Sequence, residues 1–211
     1  HRHGMGAVIH AIGDGALDLA LDAIQKARDA FPDIRERPLH GIVHCQITRP
    51  DQLRRIKRMQ VQVLAQPVFL EYDLHMADLR VGEELGRSCY AWNTLAGSVP
   101  FSAGSDSPIE SMDPFGNLYF GVTRKDYQGF PERGWHPWER LSMDQALNAA
   151  TTGGARAGGL EDYCGRIAPG YWADFTVADR DLFALPPEEL LKTKAAMTLV
   201  GGRIIGRRTE P

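Results

Sequence analysis

The chain has 211 residues, is 43% apolar and carries a formal net charge of −3, with a pI near 6.2. That length suits one large domain, or one plus a small one, with an ample core, and the charge leaves no electrostatic footprint for nucleic acid. No apolar run nears the roughly 20 residues needed to cross a bilayer, and nothing reads as a signal peptide. Three widely spaced cysteines imply neither a disulfide framework nor a Cys-x-x-Cys metal site, so a reducing, cytoplasmic setting is expected.

The chain opens abruptly. His1-Arg2-His3-Gly4 runs at once into the apolar stretch Val8-Ile9-His10-Ala11-Ile12, and then into Gly13-Asp14. This reads as the end of a preceding helix, a buried strand and a turn, and suggests a cut inside a domain. A helix follows over 15–30, with Leu17, Ala20, Leu21 and Ile24 on one stripe and Asp14 as the expected N-cap. A second strand is expected over 39–45. Pro50-Asp51 starts a helix to about Arg58, whose Arg54, Arg55, Lys57 and Arg58 form its wet face. A third strand covers 61–66 and is closed by Pro67. Residues 68–82 mix Glu71, Tyr72, Asp73 and His75 with apolar residues and fit no single period. A helix over about 90–97 precedes a fourth strand over 99–104. The aromatic, Pro- and Gly-rich stretch 107–137 reads as a long loop, and loops of that length are usually functional. Ser142 and Gln145 form a capping box for a helix to about Thr152.

After the Gly153-Gly154 and Gly158-Gly159 pairs the texture changes. Residues 173–179 read as a strand, and 197–205 as a hairpin about Gly201-Gly202. The division is therefore a strand–helix unit over 1–162 and a small β unit over 163–211. Strand–helix alternation implies a parallel α/β sheet. A doubly wound open sheet competes with a barrel. Against it, no Gly-rich phosphate loop follows the first strand, and ligand-type residues recur at three strand ends.

Those residues are His10, His44 and Asp106. In a (β/α) barrel the carboxyl ends of the strands carry the active site. A hydrolytic metal site needs neutral imidazoles and carboxylates converging on the ion with one position open. The ion lowers the pKa of water to roughly 7 and polarises a carbonyl, while a nearby carboxylate carries the proton. A single histidine ending a strand is more often an ordinary core residue. Two of them, with a Ser-Asp at a third strand end, shift the balance to ligation. Side chains alternate along a strand, so if His44 faces the lumen, Cys45 points to the helices as a buried thiol. His40 is expected to face outward, and Asp174 and Asp179 to serve turns. His136, between Trp135 and Pro137, reads as a loop residue able to touch substrate, and His75 is a second substrate-side candidate.

His10-Ala11-Ile12-Gly13-Asp14, Val43-His44-Cys45-Gln46 and Ala103-Gly104-Ser105-Asp106-Ser107-Pro108 together resemble the amidohydrolase superfamily. Asn148-Ala149-Ala150-Thr151 and Gly165-Arg166-Ile167-Ala168-Pro169-Gly170-Tyr171-Trp172-Ala173-Asp174-Phe175 agree. The nearest branch is amidohydrolase family 3, the group similar to N-substituted formamide deformylases. The resemblance implies the second half of a (β/α)8 TIM-type barrel, units five to eight, followed by part of a small β-sandwich. It implies His10 and His44 as the fifth- and sixth-strand metal ligands, and Asp106 as the eighth-strand aspartate that contacts metal and acts as acid/base. The cofactor implied is a divalent metal, zinc first, as one or two ions, and the substrate a small molecule with an amide-type C–N bond. The family's first-strand His-x-His and fourth-strand ligand have no counterpart here. The chain alone is therefore expected to be inactive, and to be a homo-oligomer or part of a longer chain. A deaminase or other hydrolase on the same scaffold is an alternative, as is a non-catalytic scaffold.

Overall fold

The computed structural model describes residues 1–34 and 38–208. Four short strands, β1 (Val8–Ala11), β2 (Gly41–His44), β3 (Gln62–Ala65) and β4 (Phe101–Ala103), form one parallel sheet in the order β1-β2-β3-β4. Helix α1 (Asp14–Ala30) crosses from β1 to β2, and α2 (Pro50–Met59) from β2 to β3. Each strand is next to its sequence neighbour, as right-handed βαβ connections favour.

One register row, Ile9, Ile42, Val63 and Phe101, runs across the sheet. Its last three members join Leu17, Leu21 and Ile24 of α1 and Leu53 and Ile56 of α2 in the core. The adjacent row is His10, Val43, Leu64 and Ser102. His10 is exposed there, and Val43 and Leu64 are half-buried. One face of the sheet is thus covered by helices, and the other is open along β1 and β2.

Asp14 does not cap α1. Gly13 occupies the N-cap without a side-chain bond, and the Asp14 carboxylate pairs with Arg49 at 2.8 Å. Arg49 also reaches Asp18 at 2.7 Å, and Gln52 donates to the Asp14 carbonyl at 2.7 Å. An ion pair between the starts of two helices has displaced the local cap. His40 does not face outward either: it is buried, and its Nδ1 accepts the Ala7 N–H at 3.0 Å.

Residues 68–82 resolve into short helical turns, a 3-10 turn at Pro67–Phe69, then α3 (Leu70–Asp73) and α4 (Ala77–Val81). Two more turns follow, α5 (Glu83–Gly86) and α6 (Trp92–Leu95). The stretch 107–137 is not all loop, for it contains the ten-residue helix α7 (Pro114–Thr123). Asp113 accepts from the Phe115 N–H at 3.0 Å and Pro114 takes the first helical position, a start signal that the sequence displays. Phe115, Leu118, Tyr119 and Phe120 are all buried, so the amphipathic period that marks a surface helix is missing.

The rest of the stretch is pinned by Arg124. Its guanidinium is fully buried, donates to the Trp135 and Tyr90 carbonyls at 2.7 and 3.0 Å, and lies over Trp92 at 4.6 Å. Burial pulls its pKa down to about 9. The Ser142–Gln145 capping box opens α8 (Met143–Asn148), which continues through a π turn at Ala149–Gly153 into α9 (Gly154–Ala157). A Cβ on Gly153 would stand 2.2 Å from the Phe101 carbonyl oxygen, so glycine lets this helix press on β4.

Strands β5 (Phe175–Ala178), β6 (Ala195–Val200) and β7 (Arg203–Arg207) form an antiparallel sheet inside 163–211. Asp174 accepts from the Gly201 N–H at 2.7 Å, in the β6–β7 turn as expected, whereas Asp179 serves no turn: it accepts from the Lys194 N–H at 2.9 Å across the long β5–β6 connection and pairs with Arg208 at 3.4 Å. Leu190, in the 3-10 segment Pro187–Lys192, is buried in the main core. Among the described residues no helix is long and apolar enough to cross a membrane.

Candidate metal centre

His10 and His44 meet at the carboxyl ends of β1 and β2. The register pairs His10 with Val43 and Ala11 with His44. A regular pleat would therefore set the two imidazoles on opposite faces. His44 leaves the strand conformation with φ 75°, Cys45 follows at φ 51°, and the His44 ring comes across. Its Nε2 lies 3.0 Å from His10 Nδ1, with the rings edge to face and their centroids 4.5 Å apart. Non-glycine residues in this left-handed region are uncommon and cluster at functional sites. Asp106, at the end of β4, is a third, with φ 59°. The loops that carry the pair are cross-tied: Cys45 N–H donates to the Ala11 carbonyl at 3.0 Å and Ile47 N–H to the Ile12 carbonyl at 2.9 Å.

The pair has the chemistry of ligands. Two nitrogens each roughly 2.0–2.1 Å from a tetrahedral ion stand about 3.3 Å apart, close to the 3.0 Å seen between the facing atoms. Burial, and next the neighbouring His10, hold the His44 ring below its ordinary 6.5, and Asp106 and Gln66 pull it back up more weakly. A neutral ring is the form a metal takes. His44 Nδ1 is buried without a hydrogen-bond partner among the described residues, and the Phe69 and His44 rings meet edge to face at 5.7 Å. Asp106 is exposed and acts on His44 through charge. Among the described residues no group of three His, Cys, Asp or Glu side chains is assembled at ligand distance. The site is therefore two placed imidazoles with an exposed carboxylate, Asp106, near enough to act on His44 by charge. Cys45 is fully buried, its thiol pushed up to about 12 by desolvation, and is no ligand.

The structure does not gather the other two candidates with this pair. His75 Nε2 lies 3.0 Å from the buried Asp126 carboxylate, and its ring stacks on Phe130. His136 is buried, with Nε2 3.2 Å from both Asp78 oxygens. Both histidines tie the 70–81 arm to the 124–140 segment.

Sequence reading missed two residues. Asn117 of α7 accepts from the Val68 N–H at 2.9 Å and donates to the Gly104 carbonyl at 2.9 Å, so it fastens the exits of β3 and β4 two residues before Asp106. Gln66, at the exit of β3, stands close enough to His44 to act on it. Its place just before Pro67, at a strand end, was the available signal. A cavity of about 180 Å³ opens beside Gly104 and Ser105, lined also by Met112, Pro114, Asn117 and Leu118.

A parallel α/β sheet with two histidines converging at its carboxyl rim puts ligand-type side chains where α/β folds place their sites. The comparisons with known proteins agree. The family model described as "Amidohydrolase family" matches residues 1–205, and the chain belongs to that family, in the branch called amidohydrolase family 3. It is 31% identical over 207 residues to the amidohydrolase YtcJ of Bacillus subtilis (strain 168), covering 96% of this chain and 37% of that protein. It is 27% identical over 209 residues to N-substituted formamide deformylase of Arthrobacter pascens, covering 98% of this chain and 37% of that protein. An uncharacterized metal-dependent hydrolase from Pyrococcus horikoshii OT3 superposes with a TM-score of 0.74 at 30% identity, over 87% of this chain and 36% of that one. The chain thus spans little more than a third of the length of these relatives.

Proposed function

We propose that this chain is the carboxyl-terminal part of a metal-dependent amidohydrolase that cleaves amide-type C–N bonds of small molecules. In this reading the four parallel strands are units five to eight of a (β/α)8 barrel, and the antiparallel sheet is part of the accompanying β-sandwich. The open face along β1 and β2 and the co-linear match to one third of longer relatives support it. The observation that carries the chemistry is the 3.0 Å approach of His10 Nδ1 and His44 Nε2 at the carboxyl ends of adjacent strands.

His10 and His44 are the residues that would hold a divalent metal, zinc first. Bound there, the ion supplies Lewis-acid polarisation of a carbonyl and acidification of water. Burial favours the neutral form of His44. Asp106, exposed at the rim of β4, accepts the proton of the attacking water and returns it to the leaving nitrogen. Asn117 holds the backbone that carries Asp106. The cavity beside Gly104 and Ser105 takes the apolar portion of the substrate. Of the two outlying histidines, His75 is half exposed and stays a candidate for substrate contact, while His136 is occupied by Asp78.

The test is Asp106→Asn and His44→Ala in the full-length protein that contains this chain, with metal content measured beside steady-state rates on N-formyl and other amide substrates. Asparagine keeps the shape and one oxygen but takes no proton. Turnover is expected to fall at least about a hundredfold with the metal largely retained. His44→Ala is expected to lose metal first, and activity as a consequence. Near-normal turnover of the Asp106→Asn protein removes Asp106 from the mechanism.

A further inference from the structure

A neutral imidazole has one N–H and one bare nitrogen. The nitrogens of His10 and His44 that face each other, Nδ1 and Nε2, are 3.0 Å apart, so a single proton lies between them. His10 is exposed, and water can meet its other nitrogen. His44 is buried, and its Nδ1 has no hydrogen-bond partner among the described residues. Gln66 supplies the complementary orphan. Its Oε1 is also buried and has no partner among the described residues; Gln66 leaves β3 beside the exit of its neighbour β2, where the register sets Val43 against Leu64, and its carboxamide acts on the His44 ring there. The orientation of that amide is set: Gln66 Nε2 donates to the Leu64 carbonyl at 2.9 Å, and a carbonyl only accepts, so the oxygen is the end left over. Two buried polar atoms without partners, one able to donate and one able only to accept, cost free energy that pairing removes. Phe69, edgewise on the His44 ring at 5.7 Å, limits how far that ring turns to make the pair.

We propose that Gln66 is a positioning residue for His44: its Oε1 accepts from His44 Nδ1–H, which leaves Nε2 bare and aimed at His10 Nδ1. The inference rests on the metal-site reading only for what Nε2 is then used for. The protons balance in both states. In the metal-free chain His44 carries its proton on Nδ1, and His10 carries its own on Nδ1 and donates it to His44 Nε2. With Zn²⁺ on the two facing nitrogens, His10 releases the Nδ1 proton to water and takes one at Nε2, while the proton of His44 stays in place.

The experiment is long-range proton–nitrogen NMR on the 211-residue chain with labelled histidine, near pH 8 where rings with ordinary pKa are neutral. Spectra are taken metal-free and with Zn²⁺, and Zn²⁺ affinity is measured by chelator competition, for the unaltered chain, Gln66→Leu and Gln66→Glu. The expected result is His44 as Nδ1–H in both states and a switch of His10 from Nδ1–H to Nε2–H with Zn²⁺. Gln66→Leu is expected to mix the His44 tautomers and weaken Zn²⁺ binding about 10- to 100-fold, as lost outer-shell partners do. Gln66→Glu, which keeps the acceptor, is expected to hold Nδ1–H and bind at least as tightly. An Nε2–H tautomer at His44 in the unaltered metal-free chain overturns the proposal, and so does a Gln66→Leu protein with unchanged tautomer and affinity. If Gln66→Leu fails to fold, the tautomer in the unaltered chain decides. If no Zn²⁺ binds at all, the metal-site reading fails while the metal-free tautomer still tests Gln66.

Discussion

The two sheets are built from strands of similar length and put them to different use. In the parallel sheet, β2 and β3 are buried along most of their length, and the exits of the four strands carry His10 and Asp14, His44 and Gln46, Gln66, and Ser105 and Asp106. In the antiparallel sheet, β7 is exposed throughout, and Asp174 and Asp179 only tie its connections and edges. The connections make the difference. Crossover helices cover parallel strands and bring every strand to the same rim with the same polarity, whereas hairpins reverse direction at each turn and leave one face wet. Four strand ends can therefore pool their side chains in the first sheet and cannot in the second.

The largest test of this contrast is in the cores. Ile42 of β2 is 0% exposed and Ile205 of β7 is 65% exposed. Ile42→Ala is expected to cost about 2–5 kcal/mol through lost burial and a cavity, and Ile205→Ala to stay within about 0.5 kcal/mol, both by urea denaturation of this chain. Comparable losses would show that β7 is packed as tightly as β2, and the contrast would fall.

A smaller effect is expected where side chains tie strand exits. Asn117→Leu removes both bonds that link the exits of β3 and β4, leaves two backbone groups unpaired, and is expected to cost about 1–3 kcal/mol. Asp174→Ala removes an exposed bond to Gly201, which water replaces, so its cost is expected to stay below about 1 kcal/mol. Faster amide exchange at Val68 in Asn117→Leu, without change in β6, would sharpen the comparison. Exchange that rises equally in both sheets would erase it.

The smallest effect is in pH. Burial holds His40, His44 and His136 below the ordinary 6.5. Below 6.5 the unfolded chain therefore binds protons that the folded chain does not. Their stabilisation is present in full above 6.5 and declines as pH falls toward the folded values. No histidine lies beyond His136. Protection of β2 and β3 amides, corrected for intrinsic exchange, is expected to fall between about pH 7.5 and pH 5.5. That of β6 amides that open locally is expected to hold steady. Equal loss in both sheets would mean that they open only together.

Strand positions, the capping box at Ser142 and the Gly201-Gly202 hairpin were legible because each is a local signal a few residues long. The ten residues of α7 were misread as loop because burial on every side erased the period, although Asp113-Pro114 announced the start. Asp14 was misread as a cap because an arginine 35 residues away in the chain competes for its carboxylate.

Amino-acid order by itself determined that strands alternate with helices and that two histidines and an aspartate stand where strands end. Apolar runs, turn residues and helix starts are written in consecutive residues. Tertiary structure alone decided which atoms meet there. The left-handed turn at His44 overrides strand alternation and brings Nε2 to His10 Nδ1. Asn117 reaches both β3 and β4 from a helix 13 residues past Gly104. His75 and His136 turn away to carboxylates 51 and 58 residues distant in the chain. Contacts over such separations depend on how elements pack, and no period or spacing in the chain encodes them.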